Sequence, residues 1–348
     1  MNASANADSL GSDDQAKRSH SPLFLILSFS LAGLLLYLSI RKVDWRQVWT
    51  LVAHCRFGWL ALSLFLSGCS YFLRGLRWRV LLNTQARLSV SVVFWANSAG
   101  YLGNNVLPAR AGELIRTAMI SSRSHLSKTF VLTTALAERL MDAIVLVVAG
   151  TVVLRLVPNK PAWLASISTP LLITGCVAAV LIISIPAFEK PALRLLDRLS
   201  FSRGAVQRFE HGIEHVAEGI RSFHDPYSFG LFLALTISIW SLDAYGLTVL
   251  AQALSMQMSF VIGLLLLVGL GLGSALPSTP GYIGIYQFVA VTILMPFQFS
   301  RAAALAFILV AQAGGLFVTG VLGSIGLLQY RKLKEASRAS LISRPDFD

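Results

Sequence analysis

The sequence predicts an all-α fold, a polytopic bundle of about six to eight transmembrane helices. The first observation behind this prediction is the composition: the 348 residues are 55% hydrophobic and only 13% charged, with a mean hydropathy of +0.67. A soluble domain carries about 25% charged residues, and so few charges could not cover this much apolar surface in water. The second observation is a series of apolar runs close to the roughly 20 residues that an α-helix needs to cross the hydrocarbon.

Uninterrupted apolar runs predict the individual spans. They cover residues 22–40, 59–73, 130–154, 163–185, 228–250 and 302–328. The first run is too long for a typical signal sequence and no small-residue cleavage site follows it, so we expect an uncleaved first helix. Together the apolar segments place residues 22–330 in a single transmembrane domain.

Three polar stretches complete the predicted organisation. Residues 1–21 are small and polar, which is typical of a disordered terminus. Residues 187–225 carry apolar side chains at alternating steps of three and four, which predicts a cytoplasmic amphipathic helix on the membrane surface or against the bundle. Residues 331–348 form a basic cytoplasmic tail that suits an anionic leaflet.

Two further apolar segments, 90–107 and 261–295, are interrupted. The interrupting residues are Pro108 and Gly112 for the first and Pro277, Pro280 and Gly281 for the second. Both segments share Leu-Gly, then Leu-Pro, then a glycine four residues after the proline. Proline removes a backbone donor and glycine accepts unusual backbone angles, so each segment predicts a broken helix that spans or re-enters. Paired breaks in two halves indicate a transporter's binding site, although a chance match remains the alternative.

The distribution of lysine and arginine predicts cytoplasmic N- and C-termini. If both broken segments enter and leave on one side, 21 of the 29 basic residues lie inside, seven lie outside and Arg139 lies within the membrane. The first broken segment then opens inward and the second outward, as an inverted repeat requires. We therefore expect a multi-pass protein of the plasma membrane, in a bacterium the inner membrane.

Charged residues interrupt the apolar run 130–154 near its middle. Glu138 and Asp142 are four residues apart and share a helical face, and Arg139 can pair with Asp142. Each charge at the bilayer centre costs about 2.5–3.5 kcal/mol on insertion scales, so the group needs a reason to be there. One interpretation is a polar pathway or headgroup site, and the other is a self-neutralising cluster that fixes helix packing.

Glu138, Arg139 and Asp142 together have a net charge of −1, so this group needs a further basic partner. Arg110 or Arg116 could supply it, or these arginines, together with Asn104 and Asn105, could hold a lipid phosphate. Asp243 interrupts another apolar run. It is expected either to pair with Arg301 or to reach the membrane interface.

Other chemistry is not predicted. No Walker or G-x-S-x-G motif occurs, and the three cysteines lie far apart. The H-x-x-E-H pattern at 211–215 lies in the charged surface helix, where a solvated polar face explains it better than zinc. Gly269 and Gly273 suit close helix packing rather than a nucleotide loop. We expect no cofactor, no metal and no nucleic-acid partner.

Several of these residues recur together in a known family. The chain resembles the transmembrane region of lysylphosphatidylglycerol synthases, the flippase-like membrane proteins, over residues 22–330. The resemblance rests on Leu76-Arg77-Trp78, on Pro108, Gly112, Glu113 and Arg116, on Glu138, Arg139 and Asp142, and on Pro277, Pro280, Gly281 and Gly284. It implies a helical membrane domain that handles phospholipids or lipid-linked sugars, often credited with moving them between leaflets.

Two departures from the family pattern matter. The soluble aminoacyl-transferase domain of the full-length synthases is absent from the sequence, so lipid lysylation by this chain is not expected. Tyr282 replaces a glycine of the second family motif, and Gln287 stands where that motif has an acid. A change in substrate or coupling is the expected consequence.

The sequence therefore predicts a lipid flippase or transporter whose partners are membrane lipids with an anionic phospholipid or lipid-linked headgroup. In this hypothesis Arg110 and Arg116 take phosphate, while Glu138 and Asp142 take the rest of the headgroup or a coupling proton. The predicted substrate-binding set is Asn104, Asn105, Arg110, Glu113, Arg116, Glu138, Arg139, Asp142, Pro277, Pro280, Gly281 and Gln287. Two alternatives stay open: a catalytic or accessory subunit acting on lipid-linked sugars or isoprenoid lipids, and a lipid-binding scaffold for a partner enzyme.

Overall fold

The computed structural model describes residues 22–107, 111–157, 160–167, 169–170, 172–177, 225–274 and 280–342. Its α-helices are α1 (Pro22–Ile40), α2 (Trp45–Ala53), α3 (Phe57–Leu82), α4 (Val90–Val106), α5 (Gly112–Ser121), α6 (Lys128–Leu156), α7 (Pro226–Ala253), α8 (Phe260–Gly273), α9 (Ile285–Leu294) and α10 (Arg301–Ile342). Short 3-10 turns cover Pro280–Tyr282 and Met295–Phe297. The described residues contain no strand, which confirms the all-α prediction.

The long helices match the predicted spans. Helices α3, α7 and α10 are long and apolar enough to cross a membrane. Helix α6 has 29 residues and covers the predicted run 130–154, but it contains the charged group. Helix α3 continues nine residues beyond the predicted end at residue 73. Of the predicted span 163–185, residues 163–167, 169–170 and 172–177 are helical. The predicted surface helix up to residue 224, with its H-x-x-E-H pattern, lies outside the described residues.

Helix α2 was not predicted, because nine residues are too few to give a clear apolar run. Asp44 caps its first turn by accepting from the backbone N–H groups of Arg46 and Gln47. Val48 is buried, whereas Trp45 and Trp49 are exposed. Exposed tryptophans on a short amphipathic helix are typical of the membrane interface.

Two apolar clusters mark the opposite ends of the bundle. The first joins the end of α3, the start of α4, the end of α5 and the start of α6, with Tyr330 of α10 packed against it. The second joins the ends of α7 and α9 to the starts of α8 and α10, and it includes Leu254. We call these regions the Tyr330 end and the Leu254 end.

The first broken segment begins and ends at the same end of the bundle. Helix α4 begins and α5 ends in the same cluster at the Tyr330 end, where Ser122 and Tyr330 share a hydrogen bond of 3.0 Å. Helix α5 packs on α4 so closely that a Cβ on Gly112 would lie 1.9 Å from the carbonyl oxygen of Gly100. Only glycine fits this contact. Helices α4 and α5 thus form one hairpin, hairpin 1.

The second broken segment forms a similar hairpin at the Leu254 end of the bundle. Helix α8 begins and α9 ends at the Leu254 end, and Gly269 and Gly273 of α8 meet Ile293 and Ile285 of α9. The predicted packing role of these glycines is therefore confirmed. The turn contains Gly281 at φ 70° and Gly284 at φ 91°, backbone angles that favour glycine. We call α8, this turn and α9 hairpin 2.

The two hairpin tips approach each other inside the bundle. Asn105 in hairpin 1 donates to Thr319 of α10 over 2.9 Å, and Gln312 of α10 donates to the carbonyl of Gly281 in hairpin 2 over 2.9 Å. Thr319 is 11 residues from Tyr330, and Gln312 is 11 residues from Arg301. At roughly 1.5 Å per residue each tip reaches about 17 Å inward from its own end.

The chain therefore contains an inverted repeat, as predicted. The first unit is α3, hairpin 1 and α6; the second is α7, hairpin 2 and α10. Helix α3 pairs with α7 in the opposite direction, and the N–H of Arg56 donates to the carbonyl of Ala253 at the Leu254 end. Helix α1 packs on hairpin 2, where a Cβ on Gly284 would meet the carbonyl of Ala32 at 2.2 Å.

Cysteine labelling will test the opposed hairpins. With Cys55, Cys69 and Cys176 replaced, an impermeant maleimide on sealed vesicles should reach Arg87→Cys and His125→Cys from one side, because both flank hairpin 1. It should reach Gln257→Cys and Ser300→Cys, which flank hairpin 2, from the other side. All four native residues are exposed. Labelling of Arg87→Cys and His125→Cys from opposite sides would mean that α4 spans the membrane.

Candidate functional site

Glu138 lies at the centre of a buried ion network. Its side chain has no exposed surface, and its two oxygens accept from different arginines. Arg77 of α3 donates Nη2 to Oε1 over 2.7 Å, and Arg116 of α5 donates Nη1 to Oε2 over 3.0 Å. Glu138 therefore ties α3 and hairpin 1 to α6.

Arg77 also holds Asp142, the next acidic residue on the same face of α6. The contact is bidentate: Nη1 reaches Oδ1 at 2.6 Å and Nη2 reaches Oδ2 at 2.9 Å. Thr236 of α7 accepts from Nη1 at 3.2 Å, and the guanidinium lies over the ring of Phe232, 5.1 Å from its centroid. Arg77 thereby links both halves of the inverted repeat.

Glu113 closes the network on the hairpin side. It accepts from Arg116, and its Oε1 accepts from Nε and Nη2 of Arg139 at 3.1 and 3.0 Å. Asn104 donates to the same Oε1 over 3.3 Å. Arg116 further donates to Asn97 over 2.8 Å and lies over Trp78. The predicted pair between Arg139 and Asp142 exists at 3.9 Å, but Glu113 is the closer partner of Arg139.

The network is balanced in charge. The cations are Arg77, Arg116 and Arg139, and the anions are Glu113, Glu138 and Asp142. Buried charges are tolerated when they are paired, and removing one partner leaves the other uncompensated at a cost of about 3–5 kcal/mol. Arg77, Arg116 and Glu138 are buried and fix helix packing. The side chain of Arg139 is 30% exposed and that of Asp142 is 9% exposed.

A central cavity of about 410 Å³ lies beside Arg139 and Asp142 of this ion network. Asn104 and Asn105 from the tip of hairpin 1 and Gly281 and Tyr282 from the tip of hairpin 2 line it on opposite sides. Arg139 and Asp142 supply charge from α6, and Leu146, Leu267, Leu270 and Ile308 belong to its apolar wall. The cavity thus joins an apolar wall to a small number of oriented polar groups, as small-molecule sites do.

A second ion pair reaches the same cavity through Arg74, whereas its partner Asp243 does not line it. Arg74 of α3 donates to Asp243 of α7 over 2.5 Å, and both side chains are partly exposed, at 15% and 18%. Arg74 and Arg139 both lie over the ring of Tyr101, at 5.8 and 5.4 Å from its centroid. The two guanidiniums therefore share one aromatic neighbour, and both residues line the cavity.

Residues 25–323 match the family described as Lysylphosphatidylglycerol synthase TM region, which is most of the sequence. The chain belongs to this family. No curated protein matches the chain in a separate comparison. The family and the apolar helices agree on a membrane protein, and the predicted resemblance is confirmed for the membrane domain.

In this member of the lysylphosphatidylglycerol synthase TM region family, hairpin 2 is held by glutamines. Gln287 is buried and its Oε1 accepts from the N–H of Gly284 over 2.7 Å, while its Nε2 donates to Gln312 over 2.6 Å. Gln312 in turn donates to the carbonyl of Gly281. Gln287 does not line the cavity, and its contacts shape the hairpin turn.

The structure gathers part of the predicted set at the cavity of this family member. Asn104, Asn105, Arg139, Asp142 and Gly281 line it. Glu113, Arg116 and Glu138 lie behind it in the ion network, so Arg116 fits the predicted role of partner to the acids rather than that of phosphate ligand. Of the remaining residues, Pro280 begins the 3-10 turn of hairpin 2, while Arg110 and Pro277 lie outside the described residues.

Sequence analysis missed the arginines of α3. Arg77 was recognised only within a family motif, and Arg74 not at all, because the predicted span stopped at residue 73. Their spacing of three residues, with aromatic residues on both sides, was the available signal. The predicted pair of Asp243 and Arg301 is wrong, since Asp243 pairs with Arg74 and Arg301 donates to the carbonyls of Leu38 and Arg41.

Proposed function

We propose that the protein moves a phospholipid or lipid-linked headgroup between the two leaflets. The observation that carries this proposal is the central cavity between two hairpin tips that enter from opposite ends. Broken helices that meet in the middle of an inverted repeat are the usual location of a transporter's substrate site. Small movements of either hairpin would open the cavity toward one end at a time.

The charged groups of the cavity suit a phosphate-bearing headgroup. Arg74 and Arg139 each place a guanidinium group near the ring of Tyr101, and guanidinium binds phosphate with two parallel hydrogen bonds. Asp142 and the amides of Asn104 and Asn105 offer contacts for hydroxyl or amine groups of the same headgroup. A volume of about 410 Å³ is within the range of small-molecule pockets.

A side cleft offers a path for the acyl chains. This cleft of about 160 Å³ runs between α3, α7 and α10 and shares Leu247, Leu267, Ala311 and Gly315 with the central cavity. Apart from Ser63, Ser67 and Asp243, its lining is apolar, and the hydroxyl of Ser63 already donates to the carbonyl of Gly246 over 3.0 Å. A lipid whose headgroup occupies the cavity can therefore keep its tails in an apolar environment.

Transport can be tested in proteoliposomes that contain phosphatidylglycerol carrying a fluorophore on one acyl chain. Dithionite quenching should report movement of the lipid with the native protein and not with empty vesicles. Gly314→Phe should slow this movement about tenfold, or about 1.4 kcal/mol, because a new ring would fill the cleft. A Cβ on Gly314 already approaches Leu64 to 2.8 Å, whereas a Cβ on Gly320 of the same helix meets nothing within 4 Å.

Gly320→Phe is therefore the matched control and should transport at the native rate. Equal rates for both variants would remove the cleft from the lipid path. Absence of movement with phosphatidylglycerol, phosphatidylethanolamine and an isoprenoid-linked phosphate would contradict transport itself. New lipid masses in those vesicles would instead favour the enzymatic alternative, and co-purification of an enzyme would favour the scaffold.

A further inference from the structure

A second cavity lies at the Leu254 end, apart from the central one. It has a volume of about 490 Å³ and shares no lining residue with the central cavity. Its walls come from the end of α1, from α9 and from the start of α10, with Trp163 on the rim. We call it the interfacial cavity.

Two arginines of this cavity form no ion pair with any acid that the structure describes. Arg301 donates Nη1 to the carbonyls of Leu38 and Arg41 at 2.9 and 3.4 Å, which orients its guanidinium without cancelling its charge. The side chain of Arg41 is exposed. None of the ion pairs formed by the described residues includes either arginine. Asp44, the acid closest to Arg41 in sequence, instead caps α2.

Apart from Thr292, the rest of the lining is apolar or interfacial. Phe288, Val291 and Met295 of hairpin 2 form one wall, and Trp163 is partly exposed beside them. Tryptophan prefers the level of the lipid headgroups, and a guanidinium group binds a phosphate through charged hydrogen bonds. An amphiphile could therefore place a phosphate between the two arginines and its chains along the apolar wall.

We propose that the interfacial cavity is a binding site for the phosphate of an anionic phospholipid, held by Arg41 and Arg301. The site is separate from the central cavity and does not depend on transport. A lipid bound there contacts α1, α9 and the start of α10 at once. It thereby joins hairpin 2 to the two helices that surround it.

Native mass spectrometry of the full-length protein in detergent tests this site. Phosphatidylglycerol and phosphatidylcholine of equal chain length are added to Arg139→Gln protein, which lacks a cavity-facing arginine of the central site. Phosphatidylglycerol should be retained about tenfold more than phosphatidylcholine. Adding Arg41→Gln and Arg301→Gln should remove this preference. The matched control adds Arg46→Gln and Arg155→Gln, two exposed arginines with the same change in charge, and should keep it.

Other results would overturn the proposal. Equal retention of phosphatidylglycerol by the site variant and the control would place the lipid elsewhere. Displacement by millimolar glycerol 3-phosphate would identify a site for a free phosphate ester rather than for a lipid. Because Arg301 also contacts α1, Arg41→Gln alone is measured as well; its exposed side chain has no packing role, and a reduced preference is expected.

Discussion

Arg77→Gln is expected to lower the stability of the folded protein strongly. Arg77 is fully buried and supplies two hydrogen bonds to Asp142 and one to Glu138. Glu138 would keep Arg116, but Asp142 would keep only the distant Arg139, at 3.9 Å. Leaving a buried charge without its partner costs about 3–5 kcal/mol, a large part of the 5–15 kcal/mol that stabilises a typical domain.

The measurement is thermal unfolding of purified protein followed by size-exclusion chromatography. Arg87→Gln provides the control, because Arg87 is exposed in the loop after α3 and the substitution removes the same charge. Arg77→Gln combined with Asp142→Asn should recover part of the lost stability, since the double variant leaves neither charge unpaired. A melting temperature of Arg77→Gln equal to that of Arg87→Gln would show that the network does not hold the fold.

Arg139→Gln is expected to have the opposite profile, with folding retained and lipid transport lost. Arg139 faces the central cavity, and its partner Glu113 keeps Arg116 when Arg139 is replaced. A charged hydrogen bond to a headgroup contributes about 1.5–3 kcal/mol, so transport should fall roughly 10- to 100-fold. Arg139→Lys should recover part of the rate, because lysine keeps the charge but not the planar pair of donors.

Arg155→Gln is the matched control, since Arg155 is an exposed arginine at the other end of the same helix. Transport in proteoliposomes and thermal stability are measured on all three variants. If Arg139→Gln transports lipid as fast as Arg155→Gln while both are folded, the headgroup does not use this arginine. If Arg139→Gln unfolds instead, the charge is structural and the cavity proposal loses its main cation.

Local sequence patterns were sufficient to predict the positions of the long helices and of the two helix breaks. The apolar runs predicted α3, α6, α7 and α10, and the boundary of 90–107 agrees with α4 to within one residue at its end. Each apolar run can be predicted without knowing its neighbours in the fold, because the bilayer imposes the same length and polarity on every span. Helix α2 escaped prediction because its nine residues are too few to give a clear apolar run.

Pairing of the charges was predicted less well. Glu138 and Asp142 were recognised because acids in an apolar run are costly and therefore conspicuous. Their main partner, Arg77, lies more than 60 residues earlier in the chain, and no local rule connects them. Arg301 and Asp243 were matched by opposite charge alone, whereas packing of α3 against α7 gave Asp243 a nearer arginine.

The sequence by itself determined the membrane environment, the helical class, the positions of both breaks and the presence of charge at depth. These properties follow from composition and from spacing along one helix, which are local. Only the tertiary structure decided that the breaks are opposed hairpins, that Arg116 serves the ion network, and that Arg74 and Arg139 face a common cavity. Those outcomes depend on which helices become neighbours, and that is set by the close packing of residues far apart in the chain, such as Gly112 against Gly100 and Gly284 against Ala32.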